Sequence, residues 1–175
     1  PAAAGNRKTW SFSCWVKRGN ISDNSASSYD YQNLLSDHAG NHYISFGGGG
    51  SPNAMDKIRI FGHDGSTRLS LITTQTFRDH ATWYHILFVL DTTQGTSANR
   101  AKLYINGSQV TVFDVATYPD QNYDLLFNSL TQHSIGGPAS NYFDGHLAEI
   151  NFIDGTAKTA ADFGEFDADY GHWKP

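Results

Sequence analysis

Hydrophobic and polar residues alternate with a period of two in a segment near the start of the chain. Trp10, Phe12, Cys14 and Val16 fall on one side of this segment, and their neighbours Ser11, Ser13, Trp15 and Lys17 fall on the other. Successive side chains of a β-strand point to opposite faces of a sheet. The segment therefore predicts a strand whose first set of side chains faces a core.

Two other segments differ in their patterns. In residues 147–152, Ala148, Ile150 and Phe152 alternate with Leu147, Glu149 and Asn151, which predicts a strand with Glu149 pointing outward. In residues 83–90, apolar side chains occupy both parities, which predicts a central strand that is covered on both faces. The cover on its second face is either a set of loops or a partner chain.

Turn signals join several of these segments. Asn106-Gly107 separates two short β-type runs and predicts a type I′ hairpin, because that turn needs a positive φ at both central positions. Asp64-Gly65 predicts a second hairpin of the same kind. A Thr159 N-cap, an acid at Asp162 and a Gly164 stop predict one short helical turn. The pattern as a whole predicts an all-β protein, an antiparallel β-sandwich of jelly-roll type with at most one short helix.

Composition limits the classes of protein that this chain can be. Its 175 residues include 39% hydrophobic residues, enough for one core, so we expect a single domain over residues 1–175. A formal net charge of −5 argues against nucleic-acid binding. Apolar runs are too short to cross a bilayer, so no membrane insertion is expected. Cys14 has no partner for a disulfide and is interpreted as a core residue.

Several motifs resemble a known family. The segments RKTWSFSCWVKRG, TTQTFRDHATWYHI, NGSQVTVFDVATYPDQNYD, YFDGHLAEINFIDG and FGE, and the closing WKP, are similar to the laminin-G-like, concanavalin-A-like lectin/glucanase domain. The version that they resemble occurs in tail-fibre and other virion proteins of marine tailed bacteriophages, including cyanophages. This resemblance implies a jelly-roll fold and a place on the virion surface. It also implies host cell-surface polysaccharide, other virion proteins and further copies of the chain, as a homotrimer or other homo-oligomer, as partners.

The resembling phage proteins usually carry a further strand at each end. We therefore expect the chain to be a fragment of a longer virion protein, with sheet edges that neighbouring segments can pair with.

Sugar recognition needs flat aromatic rings beside amide, carboxylate or guanidinium groups. Trp15 is the first candidate, because it lies on the Ser/Lys side of its strand, although burial under a loop or a subunit interface would explain it equally. The other candidates lie on loops or at outward positions, where ordinary surface or packing roles are the alternative: Tyr29, Tyr31, Tyr43, Arg59, Tyr104, Tyr142, Glu149 and Asn151.

Calcium is the metal that the family resemblance implies. Its oxygen ligands would come from Asp91, Asp144, Asp154, Glu165 or loop carbonyls, although aspartates that close strands also serve as turn formers. Glu165, Asp167 and Asp169 have the spacing of hydrolase carboxylates, but their context predicts a solvated acidic turn. We expect no catalytic residues and no enzymatic activity.

These observations favour a non-enzymatic carbohydrate-binding module for host recognition, in a phage tail fibre or related virion protein. The alternative is a structural virion domain, such as a capsid decoration or a fibre oligomerisation domain, whose outward aromatic residues make protein contacts. A glycan hydrolase is the third reading, and it would require a pair of acidic groups across a cleft.

Overall fold

The computed structural model describes residues 3–20, 31–47, 54–137 and 142–175. These residues form strands with the following bounds: β1 Thr9–Arg18, β2 Gln32–Asp37, β3 His42–Phe46, β4 Lys57–His63, β5 Thr67–Thr76, β6 Tyr84–Asp91, β7 Ala101–Ile105, β8 Ser108–Val110, β9 Phe113–Thr117, β10 His133–Ile135, β11 Gly145–Asp154, β12 Glu165–Phe166 and β13 Trp173–Lys174.

The strands make two large antiparallel sheets. The five-stranded sheet has the order β11-β1-β6-β7-β8, the six-stranded sheet has the order β10-β2-β3-β4-β5-β9, and β12 pairs with β13. This confirms the predicted antiparallel β-sandwich. The predicted helical turn forms as a 3-10 turn at Ala160–Asp162, and a second 3-10 turn at Ser97–Asn99 was not predicted. In the parts of the chain that the structure describes, no helix has the length and apolar character to span a bilayer.

The core lies between the two sheets. Trp10, Phe12, Cys14 and Val16 of β1 are buried in it, as their alternation predicts, together with residues such as Ile44 of β3. Each apolar side chain that is fully buried in this way contributes about 1.5–3 kcal/mol to folding. Burial also raises the pKa of the Cys14 thiol to about 12, so this thiol stays protonated and unreactive, in agreement with a core role.

Both predicted hairpins form, but with different turns. Asn106 and Gly107 have φ angles of 47° and 77°, as a type I′ turn requires. Asp64 to Ser66 connect β4 to β5, and of the two predicted turn residues only Gly65 has a positive φ, at 98°. The second turn is therefore not the predicted type I′ turn, although the two strands pair as expected.

The alternation predicted for residues 147–152 holds for Phe152 and Asn151 but is inverted for Leu147 and Ala148, because a β-bulge interrupts β11. Phe152 is opposite Phe12 and Leu147 is opposite Val16, so both lie on the core side of the sheet. The register shifts between them, and Glu149 takes a left-handed conformation with φ of 49°. A bulge adds one residue to its strand and so inverts the parity beyond it.

The outer face of the five-stranded sheet is covered by residues 155–175 of the same chain. Ser11 Oγ donates a hydrogen bond to the Thr156 carbonyl at 2.9 Å and accepts one from the Lys158 amide at 2.8 Å. Trp173 packs so closely on Gly107 that a Cβ at Gly107 would lie 2.2 Å from its ring. Leu87 of β6 is fully buried as a result. The chain itself therefore supplies the cover that the doubly apolar pattern of β6 predicts.

Candidate functional site

The outer face of the six-stranded sheet presents a group of aromatic side chains around one arginine. On β4, Ile58 and Ile60 point into the core, so Arg59, Phe61 and His63 point outward. The register of β3 places Tyr43 opposite Phe61 on the same face. Tyr31, which immediately precedes β2, completes the group. We call Tyr31, Tyr43, Arg59, Phe61 and His63 the aromatic patch.

The rings of the aromatic patch form a continuous row. The ring centroids of Tyr31 and Tyr43 lie 5.1 Å apart in an edge-to-face arrangement, and those of Tyr43 and Phe61 lie 5.2 Å apart in a stacked one. Phe61 and His63 are nearly parallel, with centroids 6.3 Å apart. Such pairs contribute about 0.5–1.5 kcal/mol each beyond the burial of their area. They hold the rings in a fixed arrangement on two strands, β3 and β4, and on the segment before β2.

Arg59 lies over this row. Its guanidinium carbon is 4.6 Å from the centroid of Phe61 and 5.6 Å from that of Tyr43, within the range of a cation–π contact. Its Nε is buried without a hydrogen-bond partner, and Arg59 forms no ion pair within the described ranges. The patch therefore contains a positive charge that is held by rings rather than by a carboxylate.

Polar groups complete the surroundings of the patch. Burial raises the pKa of Tyr43, so its hydroxyl remains protonated and can both donate and accept a hydrogen bond. Lys57, two residues before Arg59 on β4, forms an ion pair with Asp114 of β9. Asp64 at the end of β4 forms an ion pair with Arg68. The charges that flank Arg59 are thus already neutralised within the protein.

The structure divides the predicted sugar-binding residues between two opposite faces of the sandwich. Tyr31, Tyr43 and Arg59 come together in the aromatic patch. Trp15 and Tyr104 lie on the outer face of the five-stranded sheet, where Trp15 packs against His85 at 5.2 Å and its indole nitrogen is buried without a partner. Trp15 is therefore half-buried. Because the predicted residues lie on opposite faces, a single site cannot contain all of them.

The remaining predicted binding residues lie around β11. Asn151 donates a hydrogen bond to the carbonyl of Glu149 at 2.8 Å, so it stabilises the bulge. Glu149 is exposed, as predicted, and Tyr142 is 64% exposed in the segment before β11. These three residues do not join the aromatic patch. Tyr29 lies outside the described residues.

Comparison with known protein families gives one match, which covers most of the chain. The laminin G model of the concanavalin A-like lectin/glucanases superfamily matches residues 1–162. The chain belongs to this superfamily. No curated protein sequence matches it significantly.

Solved structures of the same fold include proteins with different activities. Domain 4 of AbnA, an extracellular GH43 arabinanase from Geobacillus stearothermophilus, in complex with arabinotriose, is 18% identical with a TM-score of 0.59, over 91% of this chain and 65% of that one. A heptameric SAP-like pentraxin from Limulus polyphemus is 12% identical with a TM-score of 0.57, over 91% and 69%. Trypanosoma rangeli sialidase in complex with sialic acid is 11% identical with a TM-score of 0.52, over 89% and 22%. At such identities the likeness concerns the fold alone.

The calcium ligands expected from the superfamily do not converge. Asp91 and Asp154 pair with β1 residues from opposite sides, so their strands lie about 10 Å apart. Asp91 accepts hydrogen bonds from Thr93 and Gln94, which lower its pKa against the opposing effect of burial. Glu165 is paired with Lys174 on the β12–β13 hairpin, and Asp144 precedes β11.

No group of three or more His, Cys, Asp or Glu side chains in the described ranges could hold a metal ion. The four predicted carboxylates therefore do not form one group.

The acidic segment 165–169 forms strand β12 and the start of the turn that follows it, and most of it is exposed, in partial agreement with the predicted acidic turn. The Asp167 carboxylate accepts hydrogen bonds from the amides of Tyr170 and Asp169, and these bonds lower its pKa. Lys174 lies 3.3 Å from both Glu165 and Asp167. These contacts give the carboxylates a role in holding the turn.

One Ser/His pair has the spacing of a nucleophile and its base, but it is buried. Ser13 Oγ lies 2.8 Å from His85 Nε2, and both residues are about 1% exposed. Burial lowers the pKa of His85 to about 4, so the ring is neutral at physiological pH. No substrate could reach this pair in the closed fold, and it serves packing and hydrogen bonding.

A separate groove of about 370 Å³ lies at the end of β5 beside the β7–β8 hairpin. Its lining, residues 74–75, 105–106 and 108–112, contains no ring and no charged group. The aromatic patch has both, and it is the better candidate for recognising a polar ligand.

Sequence reasoning missed two residues of the aromatic patch, Phe61 and His63. The signal was present in the alternation of residues 57–63, where Ile58, Ile60 and Gly62 share one parity. Reading that parity would have placed Phe61 and His63 beside Arg59. The neighbouring position of Tyr43 could not be read in this way, because it depends on the register between β3 and β4.

Proposed function

We propose that the domain is a non-enzymatic carbohydrate-binding module whose binding surface is the aromatic patch. The observation that carries this proposal is the row of rings on the outward side of the six-stranded sheet with Arg59 over it. Tyr31, Phe61 and His63 of this row are half-buried, and Tyr43 between them is buried. Flat rings stack on the apolar faces of sugars, and the polar groups between them bind hydroxyls.

The non-enzymatic assignment is supported by the state of the nearby carboxylates. Asp64, in the turn after β4, and Asp114, on β9, are both ion-paired with basic side chains. Glycoside hydrolysis needs two carboxyl groups about 5–10 Å apart across the scissile bond. The structurally described part of the chain offers no such pair at the patch.

The proposed biological setting is a bacteriophage tail fibre or related virion protein that binds polysaccharide on the host cell surface. The support for this setting is the resemblance of the sequence motifs given above to those of marine phage proteins. A shallow surface of this kind buries little of a ligand, so each site would bind weakly. A homotrimer or other homo-oligomer on the virion would raise the effective concentration and give useful avidity.

The test is a glycan-array screen of the purified domain and of Phe61→Ala and Tyr104→Ala variants. Each variant removes one half-buried ring, from the aromatic patch and from the opposite face respectively. We expect binding to fall about tenfold in Phe61→Ala, because a stacked ring is worth about 1–1.5 kcal/mol, and to persist in Tyr104→Ala. Equal loss in both variants, or no binding to any glycan, would reject the patch as the binding surface.

A second candidate function, a structural virion domain, is favoured by one observation. Ile150 and Phe152 are 42% and 38% exposed along β11, which is an edge strand of the five-stranded sheet. Exposed apolar side chains along an open edge suit pairing with another chain. Light scattering separates the candidates: a stable oligomer that Ile150→Glu dissociates, in a protein without glycan binding, would favour the structural role.

A further inference from the structure

We propose that the ligand of the aromatic patch is an acidic sugar, whose carboxylate or sulfate group is bound by Arg59. This inference rests on the proposed carbohydrate-binding function and specifies the chemical class of the ligand. Its basis is the difference between Arg59 and the other arginines of the protein, together with the position of Arg59 among the rings.

Arg59 has no hydrogen-bond acceptor in the described parts of the protein, whereas the other arginines all have one. Arg18 and Arg78 bind Asp56, and Arg68 binds Asp64. Arg7 and Arg100 donate to backbone carbonyls, with Arg7 Nε 2.6 Å from the Leu125 carbonyl oxygen. A guanidinium group has five N–H donors, and Arg59 alone among these residues donates none of its own to a described residue.

The rings hold the unused guanidinium in place. Arg59 lies over Phe61 and beside Tyr43, and its Nε is buried. A partly desolvated charge without an anion is unfavourable, and an arriving anion removes that cost. Because the guanidinium is fixed against flat rings, little side-chain entropy is lost when a planar or tetrahedral oxyanion binds to it.

The charges around the patch make Arg59 the source of selectivity. The chain as a whole carries a formal net charge of −5, so an anionic ligand has no general attraction to the protein. Lys57, the nearest cation on the same strand, is already neutralised by Asp114. A neutral sugar could stack on the rings but would leave the guanidinium unpaired. An acidic sugar could stack on the rings and also pair its anionic group with the guanidinium.

The experiment measures calorimetric binding of three probes to the full 175-residue chain. The probes are trigalacturonic acid, a κ-carrageenan tetrasaccharide and neutral galactotriose, and an array of sialylated, uronate-bearing, sulfated and neutral glycans extends the set. The variants are Arg59→Gln, Arg59→Lys and Lys102→Gln. Lys102 lies on β7 of the opposite sheet and forms no ion pair with a described residue, so its removal changes the net charge equally.

We expect at least one acidic glycan to bind about tenfold or more tightly than its neutral counterpart, since hydrogen bonds to a charged group are strong. Arg59→Gln should remove that advantage, Arg59→Lys should keep part of it, and Lys102→Gln should keep it all. The uronate and sulfate arms then identify which anion is preferred. Raising the salt concentration should weaken the acidic ligand selectively.

Two results would overturn the inference, and they differ in whether the proposed carbohydrate-binding function is also rejected. Binding of neutral glycans alone, or acidic binding that is unchanged in Arg59→Gln, rejects the acidic ligand and leaves the carbohydrate-binding function intact. No binding to any glycan on the array rejects both. The thermal unfolding of each variant is measured in parallel, so that loss of binding is not confused with loss of fold.

Discussion

The two outer faces of the sandwich carry similar sequence signals but have different structures. On the five-stranded sheet, Trp15, His85 and Leu87 lie beneath the C-terminal segment, and Trp173 packs against the sheet. On the six-stranded sheet, the rings of Phe61 and Tyr43 support an arginine that has no partner among described side chains. The first face completes the fold, and the second offers unused hydrogen-bonding capacity.

This difference shows that an outward aromatic residue is not by itself a sign of binding. Trp15 and Phe61 are both half-buried residues on strands that have a core on their other side. What separates them is the group beside the ring: Phe61 lies under the Arg59 guanidinium, whereas Trp15 packs against His85. A charged group that has no described partner is therefore a better guide to a binding surface than the exposure of the ring.

The largest expected effect comes from removing a ring of the C-terminal segment that covers the five-stranded sheet. Trp173→Ala should lower the free energy of unfolding by about 3 kcal/mol, because large buried rings leave a cavity when they are removed. Trp173 is 9% exposed and lies 5.0 Å from the Phe166 ring. Urea denaturation measures the change, and Tyr170→Ala is the control, since Tyr170 is 84% exposed. A loss below about 1 kcal/mol would contradict a structural role for the cover.

A second test of the covered face uses pH. Burial lowers the pKa of His85 to about 4, against about 6.5 in an unfolded chain. Between these values the unfolded chain binds a proton that the folded protein does not, so stability decreases as the pH falls from 6.5 towards 4. The expected contribution of His85 is about 2–3 kcal/mol over that range.

The measurement is the free energy of unfolding at pH 7, 5.5 and 4.5 for the wild type, His85→Gln and His38→Gln. His38 is exposed and serves as the matched control. The His85 variant should show a flatter dependence on pH than the other two proteins. Identical slopes in all three would mean that the folded protein accommodates a protonated His85.

A smaller effect is expected when a ring is removed from the aromatic patch. Phe61→Ala should lower the free energy of unfolding by about 1 kcal/mol, because Phe61 is half-buried and loses mainly its contacts with Tyr43 and Arg59. Urea denaturation beside Trp173→Ala compares the two faces directly. If Phe61→Ala proves as costly as Trp173→Ala, the patch is part of the structural core and not a surface for ligands.

The smallest effect is expected at Arg59. Arg59→Gln removes no ion pair and no hydrogen bond with a described residue, so it should change the free energy of unfolding by about 0.5 kcal/mol, the value of its cation–π contacts. Differential scanning calorimetry is sensitive enough to detect this. A loss of several kcal/mol would show that Arg59 has a structural role like that of Arg18, which is buried against Asp56.

Much of the fold could be predicted from local sequence patterns. The alternation in β1 correctly placed Trp10, Phe12, Cys14 and Val16 in the core, and the Asn106-Gly107 turn correctly placed a hairpin. These predictions succeeded because strand parity and turn conformation depend on residues that are close in the chain. Prediction failed at Leu147 and Ala148, where the bulge at Glu149 inverted the parity, because nothing in the local pattern marks the extra residue.

The candidate site was predicted only in part. Tyr31, Tyr43 and Arg59 were among the chosen residues, but so were Trp15 and Tyr104, which lie on the opposite sheet. The calcium ligands failed as a set for the same reason, since Asp91 and Asp154 close strands on either side of β1. Residue type alone does not tell which outward positions share a face.

The sequence by itself determined the all-β class, the core side of β1 and the positions of the hairpins, because each depends on short-range stereochemistry and on the burial of alternate side chains. Only the tertiary structure decided which outward rings are covered and which remain available. That choice depends on the register between distant strands and on the return of residues 155–175 across one sheet, while Arg59 on the other sheet meets no anion among the described residues.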